Sequence, residues 1–458
     1  MNGETGDWLN SGDSREYFEL LRFPAIGADP NRLGDCVACA TWLKRWLRRI
    51  GAEAELIVPD AGDVRTSTPV VFGEIGGEEG ATTILLYGHY DVQPPDPLDQ
   101  WATPPFEPTF RDGRVYCRGA QDDKGQFFAF LCGVRELVAS SPKRNFNLKV
   151  VLEGQEESGS AGLFRLLGDG AFRKRLRADV LLVSDTSAAA DLRPAIVAGL
   201  RGVNHFTVTL RAANRDLHSG EYGGIAPNAA QGMAELMASL HHPDGSIAVA
   251  GFRDGVEPPS REELAAAEAG FADEAAYAED IGTEPCGGQR GLSIVRRNCF
   301  EPTIEINGIH SGYGGPGSKT VIPCAATAKL STRLVPGQCP KAAYEAVRRH
   351  LEERCPRGMR IELSELTGEA PGFRLPIASP LFRLAEDVLR ELDPRGVVFQ
   401  WDGASIPVVS ALREATGAAP LLVGWGQPED RIHSPNESFS VRQFRLAKEW
   451  AKRILTAF

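Results

Sequence analysis

The sequence predicts an α/β protein in which a doubly wound, mostly parallel sheet is interrupted by a smaller α+β lid/dimerisation domain. Three short apolar segments, at residues 83–86, 148–152 and 179–183, have the length and composition of buried strands. Between the first two, apolar residues at helical spacing over residues 127–138 predict a helix. Such strand–helix–strand alternation is typical of a parallel sheet that lies between two layers of helices.

The pattern changes after about Leu200. Residues 205–210 alternate like a strand with one exposed face, and residues 244–289, rich in Gly, Pro, Ala and acids, predict a long excursion. The helix–strand alternation resumes near Leu375. Because 458 residues are too many for one core, the length predicts two or three domains. From the pattern along the chain we predict two. They are a discontinuous catalytic domain, residues 1–199 and 373–458, and an inserted lid/dimerisation domain, residues 200–372.

Composition excludes several classes of function. A net charge of −11 without a basic tract argues against a nucleic-acid-binding protein. No apolar stretch reaches the roughly 18 residues of a membrane span. The first seven residues have neither a basic nor an apolar region typical of a signal peptide, and the nine cysteines are scattered. We therefore expect a cytoplasmic protein with reduced thiols, in which Cys36 and Cys39 are helix residues rather than metal ligands.

A pair of adjacent carboxylates, Glu156 and Glu157, follows the apolar segment at residues 148–152. Like charges side by side are costly in a buried setting unless a cation offsets them. Other acids and histidines also stand at strand ends or turns, where open α/β sheets form their sites; these are His89, Asp122, Asp185 and His433. Two histidines with several carboxylates suit a divalent metal such as zinc.

These motifs resemble those of the co-catalytic zinc aminopeptidase/carboxypeptidase family. That family contains carnosinase, cytosolic nonspecific dipeptidase, carboxypeptidase G, aminoacylase and succinyl-diaminopimelate desuccinylase. Five motifs in the family's order carry the resemblance over essentially the whole chain: His89-x-Asp91, Gly119-x-x-Asp122-Asp123-Lys-Gly125, Glu156-Glu157-x-Gly-Ser160, Asp185 and His433. Residues 215–220 and 314–323 are most similar to the dipeptidase branch.

The resemblance implies two divalent metal ions, zinc first, with manganese or cobalt as alternatives. Asp122 would bridge the two ions and relieve their repulsion. His89 and Asp185 would complete the ligands of one ion, and Glu157 and His433 those of the other.

The resemblance also implies catalytic roles beside the metals. Glu156 would be the general base, because it is adjacent to a ligand without being one. Asp91 would accept the second ring N–H of His89 and fix its tautomer, although a plain turn residue is the competing interpretation. Asp122 and Asp123 would be joined by a cis peptide bond, as in the family.

Two residues of the inserted domain are expected to act across a homodimer interface. In the family, the histidine equivalent to His218 reaches the partner subunit's active site and stabilises the tetrahedral oxyanion. Thr320 would lie on the same surface. An ordinary loop histidine and an ordinary loop threonine are the competing interpretations.

Three further residues are candidates for substrate binding. Arg333, near the end of an alternating strand, suits the free carboxylate of a peptide, although a surface salt bridge is the alternative. Asp402 and Ser405 lie in a segment similar to a substrate loop of the dipeptidase branch, where a glutamate stands in place of Asp402. The shorter Asp402 leaves recognition of a free amino group open.

The sequence therefore predicts a binuclear metal-dependent hydrolase that cleaves dipeptides or short peptides with a free C-terminal carboxylate, using activated water and Glu156. An N-acyl-amino-acid deacylase with the same metal core is the alternative, since it needs no ammonium site. A noncatalytic binding protein with this fold is a remote third hypothesis.

Overall fold

The computed structural model describes residues 7–59, 67–141, 143–271 and 273–458, apart from the side chain of Glu365. In chain order the strands are β1 (Glu53–Ile57), β2 (Val70–Ile75), β3 (Thr82–His89), β4 (Thr109–Arg111), β5 (Arg114–Tyr116), β6 (Phe146–Glu153), β7 (Val180–Val183), β8 (Ala195–Leu200), β9 (Gly202–Arg211), β10 (Leu217–His218), β11 (Thr303–Ser311), β12 (Val321–Ile322), β13 (Ala325–Leu334), β14 (Arg360–Ala370), β15 (Phe373–Arg374), β16 (Val398–Asp402), β17 (Ala419–Gly424) and β18 (Ser438–Ser440).

The helices are α1 (Gly12–Leu21), α2 (Leu33–Arg49), α3 (Lys124–Ser140), α4 (Ala161–Leu167), α5 (Gly170–Arg175), α6 (Ser219–Tyr222), α7 (Ala229–Ala238), α8 (Arg261–Gly270), α9 (Glu274–Ile281), α10 (Pro340–Glu353), α11 (Pro380–Leu392), α12 (Pro407–Thr416) and α13 (Val441–Ala457). A single π-helical turn spans Arg296–Phe300. None of the helices in the described part of the chain combines the length and apolarity that a bilayer crossing requires.

A nine-stranded sheet forms the centre of the larger part of the molecule, in the order β1-β2-β6-β3-β7-β17-β8-β15, with β16 also paired to β8. The predicted α/β fold is confirmed, and the sheet is mixed. The inner strands β6, β3, β7 and β17 pair in parallel, and so do β16 and β8. The pairs β1–β2, β2–β6, β17–β8 and β8–β15 are antiparallel. Parallel pairing is concentrated where helical crossovers connect the strands and bury both faces of the sheet.

Alternate residues of the inner strands enter two different cores, one on each face of the sheet. On β3, Ile84 and Leu86 pack in the core that contains α3 and α13, whereas Leu85 and Tyr87 pack against α4 and α12. A strand covered by helices on both faces is therefore apolar at every position. This burial accounts for the short, continuous apolar segments of the sequence.

A separate four-stranded antiparallel sheet, in the order β11-β13-β9-β14, lies between β8 and β15 in the chain. One face is apolar: Phe206 and Val208 of β9 and Ala328 of β13 form a core with α7 and α10. The other face carries polar side chains, among them His205 and Arg333. This alternation is the expected property of an antiparallel sheet with one covered face.

The chain passes between the two sheets through two short segments, residues 200–202 and 370–373, which lie side by side. A Cβ on Gly202 would lie 2.2 Å from the carbonyl oxygen of Ala370 and 2.5 Å from the backbone nitrogen of Gly372. Only glycine permits two backbones to approach this closely. The excursion after α7 returns to the large sheet, because Ala267 of α8 belongs to the core that contains Trp401 of β16.

Candidate functional site

The carboxyl ends of the four inner parallel strands bring the predicted metal ligands to one edge of the large sheet. His89 is the last residue of β3, and Glu156 and Glu157 follow β6 in a single 3₁₀ turn. Asp185 follows β7, and His433 follows β17. Parallel strands end at the same edge, so residues more than 300 positions apart in the chain become neighbours.

Asp122 lies between the two histidines. Its Oδ1 is 3.1 Å from Nε2 of His89, and its Oδ2 is 2.9 Å from Nε2 of His433. The peptide bond between Asp122 and Asp123 is cis, as the resemblance implied, and α3 begins at the next residue, Lys124. One carboxylate thus faces both histidines, which is the arrangement that a bridging ligand requires.

Two groups of ligand atoms lie close enough to hold a cation each. Asp122, Glu157 and His433 form one group, and His89, Asp123 and Asp185 form the other, with all ligand atoms of a group within 4.8 Å of one another. Nε2 of His433 lies 3.3 Å from Oε2 of Glu157, and Nε2 of His89 lies 3.8 Å from Oδ2 of Asp185. Asp122 also contacts His89, so it joins the two groups.

Asp91 is completely buried and holds parts of both groups. Nδ1 of His89 contacts the backbone oxygen of Asp91 at 3.1 Å, and the Asp91 carboxylate lies 3.4 Å from the same nitrogen. That carboxylate also accepts hydrogen bonds from the backbone N–H groups of Glu156 and Glu157, each at 3.2 Å. Asp91 therefore links the orientation of His89 to the position of the two adjacent glutamates.

Burial and crowding of negative charge control the protonation of the acids. Burial, followed by the charges of Asp122 and Glu157, raises the pKa of Asp185 to about 7. Burial, and then the charge of Asp185 among other acids, raises the pKa of Glu156 to about 9, against the opposing effect of His89. Protons thus offset the repulsion of these carboxylates when no cation is bound.

The histidine contacts have the opposite effect on Asp122. Burial opposes ionisation of this carboxyl, but the hydrogen bonds from His433 and His89 lower its pKa well below the usual value. The same hydrogen bonds to Asp122 and Glu157 raise the pKa of His433 to about 10. His433 is half-exposed, with 51% of its side chain accessible, so one side of the site is open.

Glu156 differs from its neighbour Glu157. Oε2 of Glu157 accepts a hydrogen bond from Nε2 of Gln93 at 2.8 Å and contacts His433. The Glu156 carboxylate has no hydrogen-bond or ion-pair partner among the residues that the structure describes; its hydrogen bonds are made by its backbone N–H, to Asp91, and by its backbone carbonyl, from the N–H of Gly159. Glu156 is therefore a free acid or base at the edge of the ligand groups.

His218 and Thr320 lie together on the smaller part of the molecule. Nε2 of His218 is 3.4 Å from Oγ1 of Thr320, and β10 and β12 pair their segments. Both residues are exposed. Within the described ranges, neither forms a hydrogen bond with a residue of the two ligand groups.

Arg333 and Ser405 are in contact, because Nη1 of Arg333 donates a hydrogen bond to the Ser405 hydroxyl at 2.9 Å. Asp402 ends β16 and is exposed, and its Oδ1 accepts a hydrogen bond from the backbone N–H of Ala404 at 2.8 Å. The loop after β16 thus meets β13 of the smaller sheet, which brings three of the predicted substrate residues to one region.

Glu437 and Arg118 are important to this site, and the sequence reasoning assigned them no role. Nη1 of Arg118 contacts Oε2 of Glu437 at 2.8 Å, with 1% of either side chain exposed. Glu437 also accepts hydrogen bonds from the backbone N–H groups of Gly119, Gln121 and Asp122. Their sequence positions could have indicated this role, because each lies four residues from a predicted metal ligand: Arg118 precedes Asp122, and Glu437 follows His433.

The residues present fit a pair of divalent cations. Within the described ranges, the only ion-pair partners of Asp122, Glu157 and Asp185 are the two histidines. Oδ1 of the buried Asp123 has no hydrogen-bond partner in the described structure. Oxygen and imidazole donors that lack a basic partner are the ligands that zinc and related divalent ions accept.

Comparisons with known proteins agree with this geometry. Residues 85–457 match peptidase family M20/M25/M40. The chain is 31% identical to the Beta-Ala-His dipeptidase of Homo sapiens over 92% of this chain and 82% of that protein. It is 29% identical to the Cys-Gly metallodipeptidase dug1 of Schizosaccharomyces pombe over 93% of this chain and 90% of that protein.

Similarity to solved structures extends over the whole fold. The M20 family metallo-carboxypeptidase Sso-CP2 from Sulfolobus solfataricus superimposes with a TM-score of 0.85 at 26% identity, covering 97% of this chain and 99% of that one.

Proposed function

The chain belongs to peptidase family M20/M25/M40, and from this premise and from the joined ligand groups we propose that it is a binuclear metallodipeptidase. It cleaves the amide bond of dipeptides or short peptides that carry a free C-terminal carboxylate. One observation carries the proposal: the Asp122 carboxylate contacts both His89 and His433, and the unengaged Glu156 stands beside them.

His89, Asp185 and Asp122 would hold one divalent cation, and Glu157, His433 and Asp122 would hold a second; zinc is the first candidate, with manganese or cobalt as alternatives. When bound, they polarise the amide carbonyl and lower the pKa of the attacking water. Asp91 keeps His89 in the tautomer that leaves Nε2 free for a metal.

Glu156 accepts the proton of the attacking water and then delivers it to the leaving amine. Its carboxylate is suited to this role because no described residue occupies it and because burial, together with the neighbouring acids, raises its pKa. The nucleophilic oxygen adds to the carbonyl carbon, and the C–N bond breaks as the amine nitrogen takes up the proton.

Arg333 and Ser405 bind the carboxylate at the C-terminal end of the substrate. A guanidinium presents parallel donors that match a carboxylate, and the Ser405 hydroxyl holds Arg333 in position. Asp402 then attracts the substrate's ammonium group. Replacement of Asp402 by Ala should weaken binding of free dipeptides and leave binding of N-acetylated analogues unchanged.

Residues 1–199 and 373–458 form the catalytic domain, and residues 200–372 form a lid/dimerisation domain. The two sheets support this division, since, apart from Leu200 at the end of β8, each is built from strands of only one of these parts. In a homodimer, His218 of one subunit stabilises the oxyanion in the partner subunit's active site, with Thr320 beside it. The exposure of both residues on a single chain is compatible with this role.

A cytoplasmic location accompanies this function. All nine cysteines are free thiols, as expected in a reducing compartment. Fractionation of the native cells, followed by detection of the protein, tests this location.

The function is tested by assaying metal-reconstituted protein with free dipeptides and with N-acetyl and N-succinyl amino acids. We expect turnover of the dipeptides, and cleavage of only the acylated compounds would instead establish a deacylase. Glu156→Gln should abolish turnover while metal content stays at two ions per chain. Glu156→Gln protein with full activity would contradict the assigned mechanism.

A further inference from the structure

Arg201 occupies the short passage between β8 of the large sheet and β9 of the smaller one. Its side chain and backbone both hold the loop that follows β16. Nε donates to the carbonyl oxygen of Gly403 at 2.7 Å, and the backbone N–H donates to the carbonyl oxygen of Ala404 at 3.2 Å. Arg201 thus fastens this loop at the point where the chain crosses from one sheet to the other.

The Arg201 guanidinium has no ion-pair partner among the described residues. Its Nη1 reaches only the carbonyl oxygen of Glu301, at 3.3 Å, because the Glu301 carboxylate is engaged by Arg253 and Arg296. A partly buried cation without a carboxylate is unusual, since desolvation of its charge is normally offset by a paired acid.

Arg333 is a second guanidinium without an ion-pair partner among the described residues, and it contacts the same loop at Ser405. Burial, and then the positive charge of Arg333, lowers the pKa of Arg201 to about 10, against the opposing charges of Asp402 and Glu305, which do not form an ion pair with it. Residues 403–405 therefore contact two guanidinium groups, neither of which forms an ion pair with an acid among the described residues.

We propose that Arg201 is a positioning residue of the substrate-carboxylate site, where it holds the 403–405 loop against Arg333 and adds a second positive charge for the carboxylate. This inference rests on the proposed dipeptidase function and extends it to a residue that the mechanism does not use. A carboxylate at Arg333 supplies an acid in direct contact, which neither guanidinium has within the described residues, so Arg201 favours acids over neutral amides at this position.

The test compares ligands that differ only in this charge. Binding of a dipeptide and of the same dipeptide with a C-terminal amide is measured by calorimetry in metal-loaded Glu156→Gln protein, with and without Arg201→Gln or Arg201→Lys. Arg201→Gln should weaken binding of the free acid about tenfold and change binding of the amide less than about twofold. Arg201→Lys keeps the charge and should retain most of the preference for the acid.

Arg253→Gln is the matched control, because Arg253 also contacts Glu301 but has that acid as its ion-pair partner; it should leave the preference unchanged. Equal weakening of acid and amide by Arg201→Gln would reduce Arg201 to a structural residue and overturn the inference. Unchanged binding, or no binding of the free acid by the Glu156→Gln protein, would also overturn it. Failure of the dipeptidase function appears separately, as absence of turnover in the wild-type enzyme.

Discussion

The carboxylate of Glu437 accepts a hydrogen bond from the backbone N–H of Asp122 at 3.2 Å, across 315 positions of the chain. The same carboxylate accepts the N–H groups of Gly119 and Gln121 and pairs with the buried Arg118. The turn that presents the bridging Asp122 is therefore built on a residue from the segment that supplies His433. Glu437 therefore couples the positions of Asp122 and His433, two ligands of one proposed metal ion.

Replacement of Glu437 by Gln should weaken both folding and metal binding. The amide cannot neutralise Arg118, and its NH₂ group would face N–H donors where the carboxylate accepted them. Removing one partner of a buried ion pair costs about 3–5 kcal/mol, and loss of a residue that orients metal ligands lowers metal affinity about 10–100-fold. Thermal unfolding and metal content after dialysis against a weak chelator measure the two effects.

Glu429→Gln is a matched control, because Glu429 lies in the same segment and is exposed; it should change neither quantity. Wild-type metal affinity in Glu437→Gln protein would refute the connection between Glu437 and the bridging carboxylate.

Asp91 should affect catalysis through two groups at once. Asp91→Asn replaces an acceptor for the N–H groups of Glu156 and Glu157 and removes a negative charge near His89. We expect kcat to fall about 10–100-fold with a parallel loss of metal affinity. Titration of the apoprotein with Zn²⁺ and steady-state kinetics at saturating metal separate the two losses. Asp99→Asn, at an exposed position, should behave like wild type.

Local pattern was sufficient to identify much of the site. His89 and Glu157 follow apolar strands, and parallel strands end at a common edge, so their proximity follows from the strand assignments alone. The same logic did not extend to the edges of the sheet. β1 and β2 pair antiparallel at residues 53–57 and 70–75, and no nearby crossover determines their direction in the sequence.

Long-range contacts account for the rest. The role of Glu437 depends on three N–H groups that its carboxylate reaches because the pairing of β5 with β18 places Glu437 next to the segment that follows Tyr116. Likewise, the spacing of apolar residues in 261–270 does not indicate that Ala267 of α8 enters the same core as Trp401 of β16 in the large sheet. Nothing in the side-chain pattern of the sequence marks Arg201, because its hydrogen-bond partners are backbone carbonyls.

In the metal-free protein, the free energy of unfolding should decrease as the pH rises. In the metal-free protein, Asp185 and Glu156 have pKa values raised to about 7 and about 9, and His433 has one raised to about 10. All three values exceed those of the unfolded chain, which are about 3.9, 4.3 and 6.5. Between about pH 5 and pH 9 the folded apoprotein thus binds more protons than the unfolded chain, so raising the pH favours unfolding.

The measurement is the Tm of chelated and zinc-loaded protein at pH 6, 7, 8 and 9. We expect the Tm of the chelated protein to decrease steadily across this range. The loaded protein should have a shallower dependence, because cations that replace the protons bind more tightly as pH rises. In chelated protein, Asp185→Asn should reduce the slope by removing one of the titrating acids. A Tm of the chelated wild type that is constant or rises with pH would contradict the charge balance assigned to the site.

The proposed role of His218 predicts that two inactive variants restore activity to each other. His218→Ala and Glu156→Gln should each lower kcat by at least about a hundredfold when assayed alone. In a dimer containing one of each, a single site combines an intact Glu156 with the intact His218 of the partner subunit. After unfolding and refolding of an equal mixture, half of the dimers are mixed, so about a quarter of wild-type activity should return.

His242→Ala, at an exposed histidine elsewhere in the same part of the chain, should be active alone and serves as the control. Activity that stays at the level of the separate variants, in a mixture whose solution mass is that of a dimer, would mean that His218 does not act across the interface.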